Sequence, residues 1–199
     1  MLRLAPEGCF GIEVEGTLAA TATAFCYSEQ LAWIGMVLTL PEFRGRGLAR
    51  RLMRHALDFC TCRKVRRVKL DATDMGTPLY DKFGFRAECI VERKLRPPAS
   101  APGRSADWNT EAALELDRRS SGVDRAALLA DLARSGAASI GRRAFAMGRP
   151  GSQAAYFGPC VSESAAEARQ LLEWFLAAHP NQPVLWDVLP DNAPAAALA

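Results

Sequence analysis

The sequence predicts an α+β fold, a mixed α/β sheet built in two similar halves, on three observations. Each half runs from extended apolar patterns into alternating helical and extended segments. The stretch "RPPASAPGRSAD", from Arg96 to Asp107, breaks the apolar periodicity, and the segments on either side of it resemble one another.

Phe10, Ile12 and Val14 alternate with polar or small residues, "EG" at 15–16 makes a turn, and "TLAATATAFCY" returns, so a hairpin opens the fold. "AWIGMVLTL", residues 32–40, is a nearly continuous apolar run stopped by Pro41, the pattern of a central strand covered on both faces. Beyond Gly47 the period changes. Ala49, Leu52, Met53, Ala56, Leu57 and Cys60 recur at helical spacing, with Arg50, Arg51, Arg54 and Asp58 on the other side. Val68, Leu70 and Ala72 alternate as a strand, "TPLYDKF" makes a short helix stopped by Gly84, and "FRAECIVERKL", residues 85–95, reads as another strand.

Pro, Ser, Ala and Gly over 97–106 form a linker between domains 1–96 and 107–199. The second domain reads as a strand candidate "TEAALEL", a helix "DRAALLADLA", a hairpin turning at "RPGS" (149–152), a helix "SAAEARQLLEWFLAA" and a strand "PVLWDVL". "AYFGPCVSESAAEARQLLEWFL" repeats "AWIGMVLTLPEFRGRGLARRLMRHAL", and "VLWDVLPDNAPAAALA" repeats "VKLDATDMGTPLY". The second copy lacks the Arg-Gly loop.

Composition excludes several classes. Of 199 residues, 49% are hydrophobic and 24% charged, and no stretch approaches the roughly 20 apolar residues of a membrane helix, so no membrane partner is expected. The first residues lack the apolar core and cleavage site of a secretory signal, which predicts a cytoplasmic chain. Its six cysteines are then expected as structural thiols. Cys60 and Cys62 form only C-x-C, with no His or Cys at metal spacing, and no metal site is expected. Net charge is only +3, but Arg44, Arg46, Arg50, Arg51, Arg54, Arg63, Arg66 and Arg67 gather in one region and suit a polyanionic ligand. "RKVRRVK" lacks interleaved aromatics, so nucleic acid ranks low as that ligand.

A strand entering a helix directly leaves the first helical N–H groups unpaired and aimed at the turn, where the helix dipole also favours negative charge. Gly45 and Gly47 let an anion approach those amides, and Arg44, Arg46 and Arg50 add charge around it. A dinucleotide fingerprint would need glycine where Arg50 stands, and a nucleoside triphosphate loop would need a lysine that is absent.

These residues carry a resemblance. "VLTLPEFRGRGLA" is similar to the acyl-CoA-binding motif of the GNAT superfamily of N-acyltransferases, with Arg44, Gly47 and Ala49 on its pattern, and "LYDKFGF", 79–85, resembles the family's second signature. The resemblance covers about residues 9–95. It implies a GNAT fold in two similar halves, the first lacking the usual N-terminal helices and the second incomplete at its C-terminus.

It also implies acetyl-CoA as cosubstrate. The loop amides of Gly45, Arg46, Gly47, Leu48, Ala49 and Arg50 would hold its pyrophosphate, and the main chain of Val37, Leu38 and Thr39 would pair with its pantetheine. Tyr80 corresponds to the tyrosine that protonates the leaving thiolate. The acceptor is then a primary amine of a small molecule or peptide, with a homodimer left open as a partner. Asp71, Glu29 and Glu42 are the candidates for general base, and His55 and His179 receive no role. "DATDMGTP" has no Asn where many relatives place one against the cofactor, and "VSESAAEARQ" cannot cradle a pyrophosphate in the same manner. The other reading is a non-catalytic acyl-CoA-binding or dimerisation module.

Overall fold

The computed structural model describes residues 2–98 and 107–198, and divides into two compact units, Met1–Arg86 and Ala87–Ala199. In the first unit, β1 (Cys9–Val14), β2 (Thr17–Cys26), β3 (Ala32–Thr39) and β4 (Val68–Leu70) form a sheet in the order β1-β2-β3-β4. The first two junctions are antiparallel and β3–β4 is parallel. Glu15 and Gly16, both at positive φ, make the expected hairpin turn. Helix α1 (Leu48–Cys62) lies on one face and buries Leu48, Leu52, Met53, Ala56 and Cys60, the i, i+4 stripe of its sequence. Short α2 (Thr77–Asp81) follows β4 and places Tyr80 in the cluster that holds Ile34, Met53 and Ala56.

β3 is internal to the sheet, but only one of its faces is covered. Ala32 and Ile34 are buried while Met36 and Leu38 are 58% and 56% exposed, so its apolar run is not that of a strand covered twice.

In the second unit, β5 (Glu92–Arg96), β6 (Ala137–Ile140), β7 (Ala144–Arg149), β8 (Ala155–Ser162) and β9 (Val184–Val188) form a sheet in the order β5-β9-β8-β7-β6. Its helices are α3 (Thr110–Ser121), α4 (Ala126–Ala133), α5 (Ala165–Ala178) and α6 (Ala193–Ala196). The "TEAALEL" strand candidate is therefore helical. Asn109 caps α3 by accepting from the Ala112 amide, and Ala112, Ala113, Leu116 and Asp117 are buried along one helical stripe. Alanine, glutamate and leucine favour the helix, and a cap seen only in the fold decides it.

The strand expected over 85–95 shortens to β5, and it does not close the first sheet. It pairs antiparallel with β9, from Glu92↔Val188 to Arg96↔Val184, reinforced by a bidentate Arg93–Asp187 pair at 2.8 and 2.9 Å. The chain thus divides between Arg86 and Ala87 rather than after residue 96. β5 thereby supplies the antiparallel neighbour of β9 from a segment that precedes the second half in the chain. The linker expected over 97–106 lies outside the described residues from residue 99 onward.

The repeat holds to the level of register. Ala32↔Val68 and Ala155↔Val184 open the two parallel ladders at matching places. Thr21 pairs with Leu38 and Thr23 with Gly35, two steps against three; Ala146 pairs with Cys160 and Gly148 with Phe157, again two against three. Each half therefore carries a bulge in its third strand at the same point. The faces away from α1 and α5 differ. Phe145 and Met147 are fully buried against α3 and α4, whereas their counterparts Thr21 and Thr23 lie under no helix among the described residues. Asp117 of α3, buried, holds the Arg125 guanidinium beside α4 and ties that helix pair together. Among the described residues no helix is long and apolar enough to cross a membrane, and no cluster of His, Cys, Asp or Glu could hold a metal ion.

Candidate active site

β3 and α1 are joined by residues 40–47, which make a 3-10 turn over Pro41–Phe43 and then two left-handed glycines, Gly45 at φ +75° and Gly47 at φ +76°. A Cβ at either glycine would meet nothing within 4 Å, so what the positions require is the backbone conformation, and the space above them is open. Gly47 is the N-cap of α1 and offers no side-chain cap, and the first helical bond runs from the Arg51 amide to the Gly47 carbonyl at 3.1 Å. The amides of Gly45, Arg46, Gly47, Leu48, Ala49 and Arg50 consequently have no acceptor among the described residues. Six unpaired donors in a row at a helix start are the kind of group that can hold an anion.

The arginines do not all serve that cradle directly. Arg44 Nε donates to the Thr39 carbonyl at 3.3 Å, and Arg46 donates to the Glu42 carbonyl at 3.4 Å while lying 5.0 Å over the Phe43 ring. Both side chains hold the loop's own carbonyls and so brace its shape. Arg50 is exposed on the first turn of α1.

β4 pairs with β3 only at Ala32, Trp33 and Ile34, so the β4 side of β3 is left without a strand from Gly35 to Thr39. Val37, Leu38 and Thr39 lie along that gap, and Met36 stands at its start in the left-handed region, φ +52°. Thr21 and Thr23 donate their hydroxyls to the Met36 and Gly35 carbonyls at 2.9 and 3.1 Å, fixing the bulge from the β2 side. Nothing in the sequence pattern singled out these threonines; they become visible only once the register is known.

Tyr80 is buried, stacks edge-on near Phe85 at 6.2 Å, and shares its cluster with Val37. A Cβ on Gly76 would come within 2.8 Å of its ring, so Gly76 is the floor on which the ring rests. The Gly four residues before the Tyr was a readable signal for this contact. Burial raises the phenol above its ordinary range, which keeps it a proton donor at neutral pH.

Of the three carboxylates, Glu29 sits in the β2–β3 turn, its carbonyl accepting from the Arg66 amide; at about 3.3 Å per residue that turn is roughly 15 Å from the Met36 bulge. Glu42 belongs to the loop turn. Asp71 follows the Ile34↔Leu70 pair directly, where the β3–β4 ladder ends and the gap begins. His55 is exposed, as expected, with its ring edge-on to Phe10 at 4.6 Å; His179 caps the end of α5 against Phe175 at 4.4 Å. Burial pushes Cys60 and Cys160 up to about 12, consistent with structural thiols. Cys62 and Cys89 are exposed and depart from that expectation, because neither lies on an inward stripe.

The second unit has none of the cradle. Between β8 and α5 stand only Glu163 and Ser164, and the Ser164 hydroxyl accepts from the Glu167 amide at 3.2 Å and donates to the Glu167 carboxylate at 2.9 Å, a serine N-cap. Ala196 occupies the place of Tyr80 in the repeat, two residues after Pro194 as Tyr80 is after Pro78.

Comparison with known proteins gives the following. The Acetyltransferase (GNAT) family model matches residues 1–85, and a model of the Acetyltransferase (GNAT) domain matches residues 113–199. A Pyrococcus horikoshii protein assigned as an acetyltransferase superposes with a TM-score of 0.82 at 23% identity, over 99% of this chain and 69% of its own. A GCN5-related N-acetyltransferase from Kribbella flavida superposes at 0.60 and 21% identity, over 100% of this chain and 59% of its own. A Thermoplasma acidophilum protein assigned as an acetyltransferase gives 0.61 at 15% identity, covering 94% and 72%. At these identities the likeness concerns the fold. No curated protein sequence matches the chain.

Proposed function

The chain belongs to the GNAT acetyltransferase family, with one such domain in each half, and from that premise we propose that its first unit is an acetyl-CoA-dependent N-acyltransferase acting on a primary amine by direct attack. The observation that carries this reading is the row of unpaired amides from Gly45 to Arg50 at the start of α1. Their open approach and left-handed glycines fit a diphosphate.

Acetyl-CoA, when bound, supplies a thioester as acyl donor. The amides of Gly45 to Arg50 bind its pyrophosphate, with Arg44 and Arg46 bracing the loop. The unpaired edge of Val37, Leu38 and Thr39 orients the pantetheine arm by main-chain hydrogen bonds. Tyr80 holds the proton that a departing thiolate needs, and its burial keeps that proton in place. Of the candidate carboxylates, Asp71, which directly follows the last β3–β4 pair, is the one we assign to take a proton from the incoming ammonium. The second unit, whose helix start is capped by its own serine and whose Tyr80 counterpart is alanine, takes no donor.

Isothermal titration with acetyl-CoA tests the reading. One molecule bound per chain is expected, and no binding at millimolar ligand removes its basis.

A further inference from the structure

The β3 bulge turns on one residue. Thr23 Oγ1 donates to the Gly35 carbonyl at 3.1 Å and Thr21 Oγ1 to the Met36 carbonyl at 2.9 Å, so two successive carbonyls of β3 face β2. Carbonyls of consecutive strand residues ordinarily point to opposite sides, and Met36, at φ +52°, is the residue whose left-handed backbone brings these two to the same side. Both peptides are trans, and across a trans peptide the N–H points opposite to the preceding carbonyl. The Met36 and Val37 amides therefore both point away from β2, to the side where β4 stops pairing after Ile34. Two adjacent amides on one side of the chain form a small concave donor pair, suited to an oxygen that gains negative charge.

We propose that Thr21 and Thr23 are positioning residues for acyl transfer, their hydroxyls aiming the Met36 and Val37 amides at the acyl oxygen of the bound donor; this rests on the acyltransferase reading above. The threonines act from behind, through the two carbonyls, and need no contact with the donor. A left-handed methionine is an uphill conformation, and the two hydroxyl bonds hold it in place. Each bond also draws charge from its carbonyl and so strengthens the N–H of the same peptide as a donor. The second unit supplies the contrast. Phe145 pairs with Val161 as Thr21 pairs with Leu38, so Phe145 and Met147 take the places of the threonines and have no hydroxyl to give. Pro159 takes the place of Met36 in the repeat, and proline has no N–H. The half with the unpaired helix start thus has both hydroxyls and both amides, while the half whose helix start is capped lacks the hydroxyls and one of the amides.

The test uses the full chain and acetyl-CoA carrying a heavy carbon at its acyl carbonyl, whose stretching band in difference infrared spectra falls as hydrogen bonds to its oxygen strengthen. No acceptor amine is needed. Bound to the parent chain, the band is expected below its position for acetyl-CoA free in buffer. Thr21→Val and Thr23→Val remove the hydroxyl and keep the branched shape, and each is expected to lose most of that downshift. Coenzyme A itself is expected to bind these variants within about threefold of the parent, because the Gly45 to Arg50 amides are untouched. Thr21→Ser and Thr23→Ser keep a hydroxyl and are expected to keep the downshift. A parent band no lower than that of the free donor, a downshift retained in either valine variant, or one lost equally in the serine variants overturns the proposal. So does a loss of coenzyme A affinity beyond about tenfold in a valine variant that keeps the parent's far-ultraviolet dichroism, since the hydroxyls would then be holding up the donor site as a whole. In all of these outcomes the parent still binds its donor. Failure of the parent to bind acetyl-CoA removes the acyltransferase reading itself, and calorimetry separates that outcome from the others.

Discussion

Helices α1 and α5 occupy the same place in two copies of one architecture, and their first turns have been treated in opposite ways. α5 begins two residues after its strand, with Ser164 taking the Glu167 amide and donating to the Glu167 carboxylate. α1 begins after the longer stretch 40–47, with Gly47 at its cap and no side chain to take its amides. The first arrangement stabilises a helix. The second leaves donors unpaired, a local cost that makes sense only where a ligand completes them. The adjoining phenol follows the same division, since Tyr80 stands where the second unit has Ala196. The duplication has thus kept sheet, bulge and helix in both halves, while the unpaired helix-start amides and the phenol stand in one.

The largest effect expected from challenging this contrast comes at Gly47. Gly47→Glu places a carboxylate at the cradle and a side chain at φ +76°, and is expected to weaken acetyl-CoA binding by roughly 100-fold or more, read by calorimetry. Unchanged affinity would mean that the diphosphate is held elsewhere. Tyr80→Phe comes next, with kcat falling on the order of 100-fold and acetyl-CoA affinity held. Because burial raises the phenol above its usual value of 10.0, the parent enzyme keeps its acid form through neutral pH and loses it only on the alkaline side of 10.0, a limb absent from the variant's rate profile. A variant as fast as the parent would assign the proton to another donor.

Ser164→Ala sharpens the other side of the comparison. Loss of the cap is expected to cost about 1 kcal/mol of stability, seen in chemical denaturation, with acetyl-CoA still binding once per chain. A second binding event would show that the cap alone had been blocking a cradle in α5. The smallest effect concerns His179 at the other end of that helix, where burial lowers its proton affinity below the unfolded value of 6.5. Between the folded pKa and 6.5 the unfolded chain binds more protons, so stability falls as pH drops through that window and His179→Gln flattens the slope. Identical slopes would place the acid sensitivity in other groups.

Much of the site was legible in the sequence because it is local. The apolar run 32–40, the Arg-Gly loop and the i, i+4 stripe of α1 lie within thirty residues, and the structure keeps them in that order. The "TPLYDKF" helix and its Tyr80 were likewise readable. The bracing roles of Arg44 and Arg46 were not, since their acceptors are carbonyls whose direction depends on the turn between them. Nor was the helical state of "TEAALEL", where a strand alternation and a helix stripe coincide over so short a window and the Asn109 cap breaks the tie.

By itself the sequence determined the order of elements in the first unit, the duplicated plan and the loop that distinguishes the halves, all matters of spacing between near neighbours. Tertiary structure alone decided that β5 joins β9, nearly a hundred positions away, and that Phe145 and Met147 are sealed against α3 and α4. The physical reason is that strand pairing and face covering are settled by competition among distant partners for the same hydrogen bonds and apolar area, and no local period records which partner wins.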